Sequence, residues 1–372
     1  MGNTLNIRNL PHRLIGKIKR VSSHVKTGVK AAITQNYTRL TTPTTGKDKI
    51  VFVVPNRELI CGGTMSISNM ADVAKEIFPE KEVYLAVTDR LQRFEKYNYF
   101  NSPHKIINLR FFLNSWLKQA NVIIHVYDAG TLELFRLLNK HAYRPFLNKV
   151  HVNILNQNQD FMPPEEEIIR LKGAIENISM TLAFNANKDF SFPYLNYRPL
   201  HVGAWYPDLA QVDIPFSQKQ NLCILSPDRS DYREEIKNKL IGAGIECYDT
   251  WPIPFPEFCK LQQKAKWTIS FGEGWDGYSS GQFINGGIGF GVLQKNFSQD
   301  YFDFDNLPPF LFKNYEDMNR NILSIIRQLN EEPVYEELNH KMVETMNNDP
   351  HSNSLDNIRK RWRQFYSSIG WL

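Results

Sequence analysis

The sequence predicts an α/β protein of two doubly wound halves, each a parallel sheet wrapped by helices, preceded by a basic amphipathic helix. Three observations lead there. A chain of 372 residues exceeds one ordinary core and points to two domains. Short β-rich apolar runs alternate with helix-period segments over residues 50–160. That alternation halts over a polar, proline-bearing stretch at 208–220 and then restarts. The expected organisation is a leader and linker at 1–46, a first half at 47–212, a second at 213–350, and a closing helix at 351–372.

In the first half, residues 50–54 form a strand that ends at Pro55-Asn56-Arg57. Gly62-Gly63 and Ser66 then open a helix to about residue 77. Further strands are expected at 83–87, 106–109, 122–127, 150–155, 181–184 and 201–202. Helices are expected at 111–120, 131–140 and 165–173. The second half repeats the theme, with strands at 222–225, 245–248, 268–271 and 291–293. Its helices are expected at 232–243, 255–265, 279–285, 316–329 and 334–347, with a last one at 354–366. In such sheets, ligands bind at the carboxyl ends of the strands.

Composition narrows the function classes. At 42% hydrophobic, with no apolar run of the roughly 18 residues a membrane span needs, the chain reads as globular. It begins without the apolar core of a signal peptide, so a cytoplasmic location is expected. Cys61, Cys223, Cys247 and Cys259 show neither disulfide nor zinc spacing. The net charge of +5 is uneven: residues 1–49 carry ten basic side chains against Asp48, and the remainder is net −4. Leu10, Leu14, Ile18, Val21, Val25 and Val29 recur at helical spacing between those bases. This pattern fits an anionic membrane surface or a partner, and equally a helix packed on the protein's own body. No aromatic residue interleaves with these bases before Tyr37, which argues against nucleic acid as a partner.

Residues 265–297 hold the sharpest motif: a strand, the loop Gly272-Glu273-Gly274, a helix start, and a stop at Gly286-Gly287. A glycine loop before a helix exposes backbone N–H groups to phosphate or sugar hydroxyls. Glu273 and Gln282 would then bind polyols. Pro227-Asp228-Arg229 ends the first strand of the second half, and Arg229, Arg233 and Lys237 follow it as cations that suit a phosphate. Against that, Arg233 and Lys237 also fit a solvated helix face. Gly62-Gly63 allows close backbone approach or simply a tight turn; it lacks both the G-x-G-x-x-G and the P-loop spacing. Asp128 and Asp160 lie at the carboxyl side of first-half strands, where a base would meet an acceptor hydroxyl. Asp160 is preferred because a polar Asn-Gln turn precedes it. Asp128 could instead cap the helix near Thr131. His125, inside an apolar run, reads more simply as a core histidine. Asp303-Phe-Asp305 reads as a surface loop, and no spacing suggests a metal.

Strand, glycine loop and helix in this order resemble the donor site of GT-B glycosyltransferases. In that family a serine–glutamate–glycine loop precedes the helix that holds the nucleotide sugar. The resemblance implies two Rossmann-like halves and a transferase of surface polysaccharide assembly (O-antigen or capsule). It implies a nucleotide-sugar co-substrate, a lipid-linked glycan acceptor, no metal cofactor, and a place at the cytoplasmic membrane. It also implies that Arg229 and Lys237 reach the donor diphosphate and that Gly62-Gly63 lies near acceptor and donor. The turn 156–160 resembles a Gln-Asp turn of rhamnosyltransferase-like members. Many retaining families carry a second glutamate eight residues after the first. Here that position is Gly281, with Gln282 one further, so the stereochemistry stays open. An epimerase-like or non-catalytic protein of the same fold is the alternative.

Overall fold

The computed structural model describes residues 31, 33–34, 38, 42, 45–58, 62–100, 102–158, 161–183, 192–203, 214–250, 253–272, 274–293, 302, 306–348 and 354–372. Most of the basic leader lies outside the described residues, as do Asp160, Glu273, Asp303 and Asp305.

Two wholly parallel sheets organise the chain. The first has seven strands: β1 (Lys49–Val53), β2 (Glu82–Val87), β3 (Ile106–Asn108), β4 (Val122–Tyr127), β5 (Val150–Asn156), β6 (Ile178–Leu182) and β7 (Leu200–His201). Their order is β3-β2-β1-β4-β5-β6-β7. The second has five: β8 (Gln220–Leu225), β9 (Glu246–Asp249), β10 (Ala265–Ile269), β11 (Ile288–Val292) and β12 (Leu311–Phe312). Their order is β12-β11-β10-β8-β9. Each order reverses direction once, between β1 and β4 in the first sheet and between β8 and β10 in the second. These are the topological switch points, where a crevice opens outside the carboxyl ends.

The strands form where the sequence is apolar throughout. β1 and β5 are buried along their whole length, as a parallel sheet covered on both faces requires. The helices in the first half are α1 (Gly62–Ile77), α2 (Leu109–Gln119), α3 (Thr131–Leu138) and α4 (Glu165–Lys172). The second half adds α5 (Arg233–Gly242), α6 (Phe255–Lys264), α7 (Gly277–Ile284), α8 (Tyr315–Leu329), α9 (Glu332–Asn348) and α10 (Leu355–Ser368). Asn108 caps α2, Asp276 caps α7, Asn314 caps α8 and Ser354 caps α10, each accepting a first-turn N–H.

Several expectations shift, among them the strand expected at 291–293, which is Ile288–Val292. The strand expected at 268–271 runs earlier, at Ala265–Ile269, because Trp267, Thr268 and Ile269 pair with Cys223, Ile224 and Leu225. This leaves Ser270 and Phe271 to begin the loop. The strand expected at 181–184 is Ile178–Leu182, paired along β5. Leu311–Phe312 adds a short edge strand that has too few residues to show periodicity.

The last helix does not cover the half that precedes it. From α10, Ile358, Trp362, Phe365 and Tyr366 enter the core formed by α1 and the strands of the first sheet. Burying side chains of this size stabilises by about 1.5–3 kcal/mol each, so α10 is an integral part of the first half. Its Arg359 pairs with Glu76 of α1 at 2.7 Å.

Beneath α10 a buried polar chain crosses the sheet. Asn153 Nδ2 donates to His125 Nδ1 at 3.0 Å and to Thr181 at 2.9 Å. Ser179 donates to Asn153 Oδ1 at 2.9 Å, and His151 Nε2 lies 2.8 Å from the Ser179 hydroxyl. His125 Nε2 lies 3.0 Å from the Tyr366 hydroxyl. With Nδ1 accepting, this assigns the neutral Nε2–H tautomer to His125. Burial holds its pKa well below the usual histidine value. His125 is therefore a core histidine, stacked on Phe52 at 4.4 Å, and no alternative base.

Candidate functional site

The second switch point draws two loops together. Ser226 follows β8: its N–H donates to Ile269 O at 3.0 Å, and its hydroxyl accepts the Phe271 N–H at 2.8 Å. Pro227-Asp228-Arg229 therefore lies beside Phe271-Gly272. Gly272 has a φ of 78°. A Cβ there would sit 2.7 Å from the Asp228 Cβ, so only glycine fits between the loops. Asp276 accepts from Ser270 Oγ at 2.6 Å and from the Tyr278 N–H at 2.9 Å, tying the far end of the glycine loop to α7. Phe271 stacks on Tyr315, with ring centroids 5.7 Å apart. Burial, helped by Asp276 and Asp228, pushes the Tyr315 phenol up, so it remains an uncharged hydroxyl at the loop.

The expected donor-side residues divide on this frame. Arg229 is exposed and has no ion pair among the described residues. Gly272 and Gly274 both adopt left-handed φ, 78° and 90°, and bracket Glu273, which lies outside the described residues. Lys237 is committed elsewhere: its Nζ pairs with Asp249 Oδ2 at 2.5 Å. Arg233 holds the same carboxylate at 2.6 Å and the Ser226 carbonyl at 3.1 Å. Both thus brace α5 against the end of β9. Hydrogen bonding to Asp249 pushes the Lys237 pKa up.

Gln282 is a correction. It points into the core, fully buried, and its amide is spent there. Thr268 donates to its Oε1 at 2.7 Å, and its Nε2 donates to Ala265 O at 2.7 Å and Gln262 O at 3.1 Å. Both N–H donors are spent and the side chain is closed off from a ribose. Period alone places Gln282 on α7 without saying which face meets the sheet.

At the first switch point, Asp128 follows β4 and is buried. One oxygen accepts the Ala129 N–H at 2.7 Å. The other accepts those of Gln157 and Asn158 at 3.1 and 3.2 Å. Burial raises its pKa, and the three N–H bonds oppose that rise. These bonds give the carboxylate a structural role at the turn after β5. The carboxylate is turned toward the backbone after β5 and holds the N–H groups of Gln157 and Asn158. Gly62 and Gly63 are the first two residues of α1. Gln157 Nε2 donates to Gly63 O at 3.1 Å, and a Cβ at Gly63 would meet Gln157 Oε1 at 2.6 Å. The glycine pair thus packs on the Asp128-held turn.

Sequence reading named Asp228 only as part of a turn and passed over Ser226, Asp276 and Tyr315 as members of these two loops. Asp276 had a signal, since it follows the Gly272-Glu273-Gly274 motif by two residues. Tyr315 had none, because it arrives from α8.

Among the described residues no group of acidic, histidine or cysteine side chains is disposed to hold a metal ion. No helix among them is long and apolar enough to cross a membrane.

No protein-family model matches the chain. No curated protein matches it either. Among solved structures, the chain is similar to an E. coli heptosyltransferase WaaC with ADP, at 9% identity, 76% of this chain, 99% of that one and a TM-score of 0.36. It is also similar to the catalytic domain of Arabidopsis thaliana starch synthase IV bound to ADP and acarbose, at 11% identity, 87% and 99% coverage and a TM-score of 0.46. A third is a Listeria monocytogenes protein described as a UDP-N-acetylglucosamine 2-epimerase, at 11% identity, 88% and 97% coverage and a TM-score of 0.45. At these identities and scores no residue role passes from those proteins to this chain. On its own topology the protein is of the α/β class, with two doubly wound parallel sheets and a last helix that returns to the first.

Proposed function

We propose that the protein is a glycosyltransferase that moves a sugar from a nucleotide donor to a lipid-linked glycan of surface polysaccharide assembly. The reading rests most on the second switch point. There two loops are laced by the Phe271–Ser226 bond, glycine is obligatory at Gly272, and Arg229 is left without an ion pair among the described residues. Backbone N–H groups of the glycine loop and the Arg229 guanidinium suit a diphosphate. A guanidinium there stabilises the leaving nucleotide's charge without a metal. In this reading the second half holds the donor and the first half the acceptor. Asp160 is the base, and Asp128 positions its turn. The basic leader docks at the anionic inner face of the cytoplasmic membrane.

Transfer of labelled sugar from a panel of nucleotide donors to a membrane-extracted acceptor, in excess EDTA, tests the reading. Label in the lipid fraction is the expected result. Conversion of the free nucleotide sugar with no label transferred would instead identify an epimerase, and loss of transfer in EDTA would remove the metal-free mechanism.

A further inference from the structure

A polar cavity lies at the amino ends of strands in the first sheet. About 130 Å³ in volume, it opens to solvent where β4, β5 and β6 begin. The strands rise about 3.3 Å per residue, so roughly 20 Å of sheet separates it from the carboxyl edge.

Three asparagines line it, Asn121, Asn148 and Asn177, together with Lys149, Tyr197 and Trp371. Asn121 and Asn148 are exposed and Asn177 is half-buried, so their amides face the solvent side of the cavity. The backbones of Asn121 and Asn177 are fixed. Asn121 O accepts the Lys49 N–H at 3.0 Å, its N–H donates to Asp48 at 2.9 Å, and Asn177 O accepts the Val152 N–H at 2.9 Å. Both rings are braced as well. Tyr197 lies against His151, with ring centroids 5.4 Å apart. Lys81 donates to the Trp371 carbonyl at 3.1 Å and sits 5.2 Å from its ring.

We propose that this cavity is a carbohydrate subsite that takes one pyranose unit of a glycan. A primary amide offers two donors and an acceptor, which matches vicinal hydroxyls that each donate and accept. Aromatic walls take the apolar C–H face of the ring. The cavity, about 130 Å³ and open at its mouth, takes one face of the ring and leaves the remaining hydroxyls in solvent. One ammonium among three amides fits a hydroxyl-rich ligand better than a polyanion. The subsite lies away from the donor edge and does not depend on the transferase reading. It would hold a glycan at a distance from the reacting end.

Saturation-transfer difference NMR of the full chain tests this, using the methyl pyranosides of glucose, galactose, mannose, N-acetylglucosamine and rhamnose as probes. At least one should receive saturation at its ring C–H protons. Binding should fall at least tenfold in the double variant Asn121→Ala, Asn177→Ala, stay unchanged in Arg229→Ala, and vanish in Asn148→Trp, which fills the cavity. Absence of transfer to all five probes would overturn the proposal. So would transfer that survives both the double variant and Asn148→Trp.

Discussion

The N–H of Phe255 donates to the carbonyl of Tyr99 at 2.8 Å. Tyr99 lies in the loop that follows β2, and Phe255 opens α6, after β9. Both segments leave the carboxyl ends of their sheets, so the bond joins the two switch-point edges. Phe255 is a first-turn helix residue, and such a residue has no N–H partner within its own helix. Its amide should therefore be protected from hydrogen exchange only while the two edges touch. Exchange of Phe255 as fast as that of a free N-terminal helix amide would mean the halves separate in solution.

Arg229→Ala should weaken nucleoside diphosphate binding by about 1.5–3 kcal/mol, the range for a hydrogen bond to a charged group. Gly272→Ala should act on the same site through shape. It forces a Cβ to within 2.7 Å of Asp228 at a left-handed φ, a strain of about 1–3 kcal/mol. Calorimetric titration reads both. Unchanged affinity in Arg229→Ala would take that residue out of the site.

Asp128→Asn and Asp160→Asn separate positioning from proton transfer. In Asp128→Asn an amide N–H₂ replaces one acceptor and faces a backbone donor, so the turn after β5 shifts. Turnover should drop while the pH–rate profile keeps its acidic limb. Asp160→Asn should remove that limb. A profile lost in Asp128→Asn and intact in Asp160→Asn would reverse the two roles.

Lys219 predicts an alkaline pH dependence. Its side chain is buried, and its Nζ donates to the carbonyls of Asn285 and, at 3.4 Å, Gln262. Burial lowers its pKa to about 7 from the usual lysine value. Between about pH 7 and 10 the unfolded chain therefore binds more protons than the folded one, and stability rises with pH across that window. Urea melts of the second half, followed by Trp267 fluorescence, should show a rising midpoint. Lys219→Met should flatten the rise. A wild-type midpoint that falls over this window would contradict the assignment.

On the acid side His151 acts in the same sense. Burial depresses its pKa to about 4. Unfolded His151 takes up a proton below its usual pKa while the folded form stays neutral, so stability declines as pH falls toward about 4. His151→Gln should make that decline shallower in thermal melts of the first half between pH 6.5 and 4.5. An equally steep decline in the variant would move the effect to other groups.

The fold was largely legible because parallel strands buried on both faces are continuous apolar runs, and β4 matches its expected limits. Strand limits next to loops were less so: the strand ending at Ile269 is set by pairing with Leu225, a contact across 44 positions of sequence. At the site, the loop positions of Gly272, Gly274 and Arg229 were legible, because glycine and proline mark turns by type. Gln282 was not, since a polar residue on a helix reads alike whether it faces water or a satisfied core. Lys237 was not, because its partner Asp249 lies on another element. Asp128 looked like a base because spacing gives a carboxylate's position and not the N–H groups it accepts.

The most direct test of the account is titration of the full chain, in EDTA, with UDP, GDP, dTDP, CMP and ADP, alongside Arg229→Ala. The account predicts that at least one nucleotide binds the wild type, and that Arg229→Ala weakens that binding tenfold or more. Failure of all five to bind, or equal binding by the variant, would contradict a donor site at the meeting of the Arg229 and Gly272 loops.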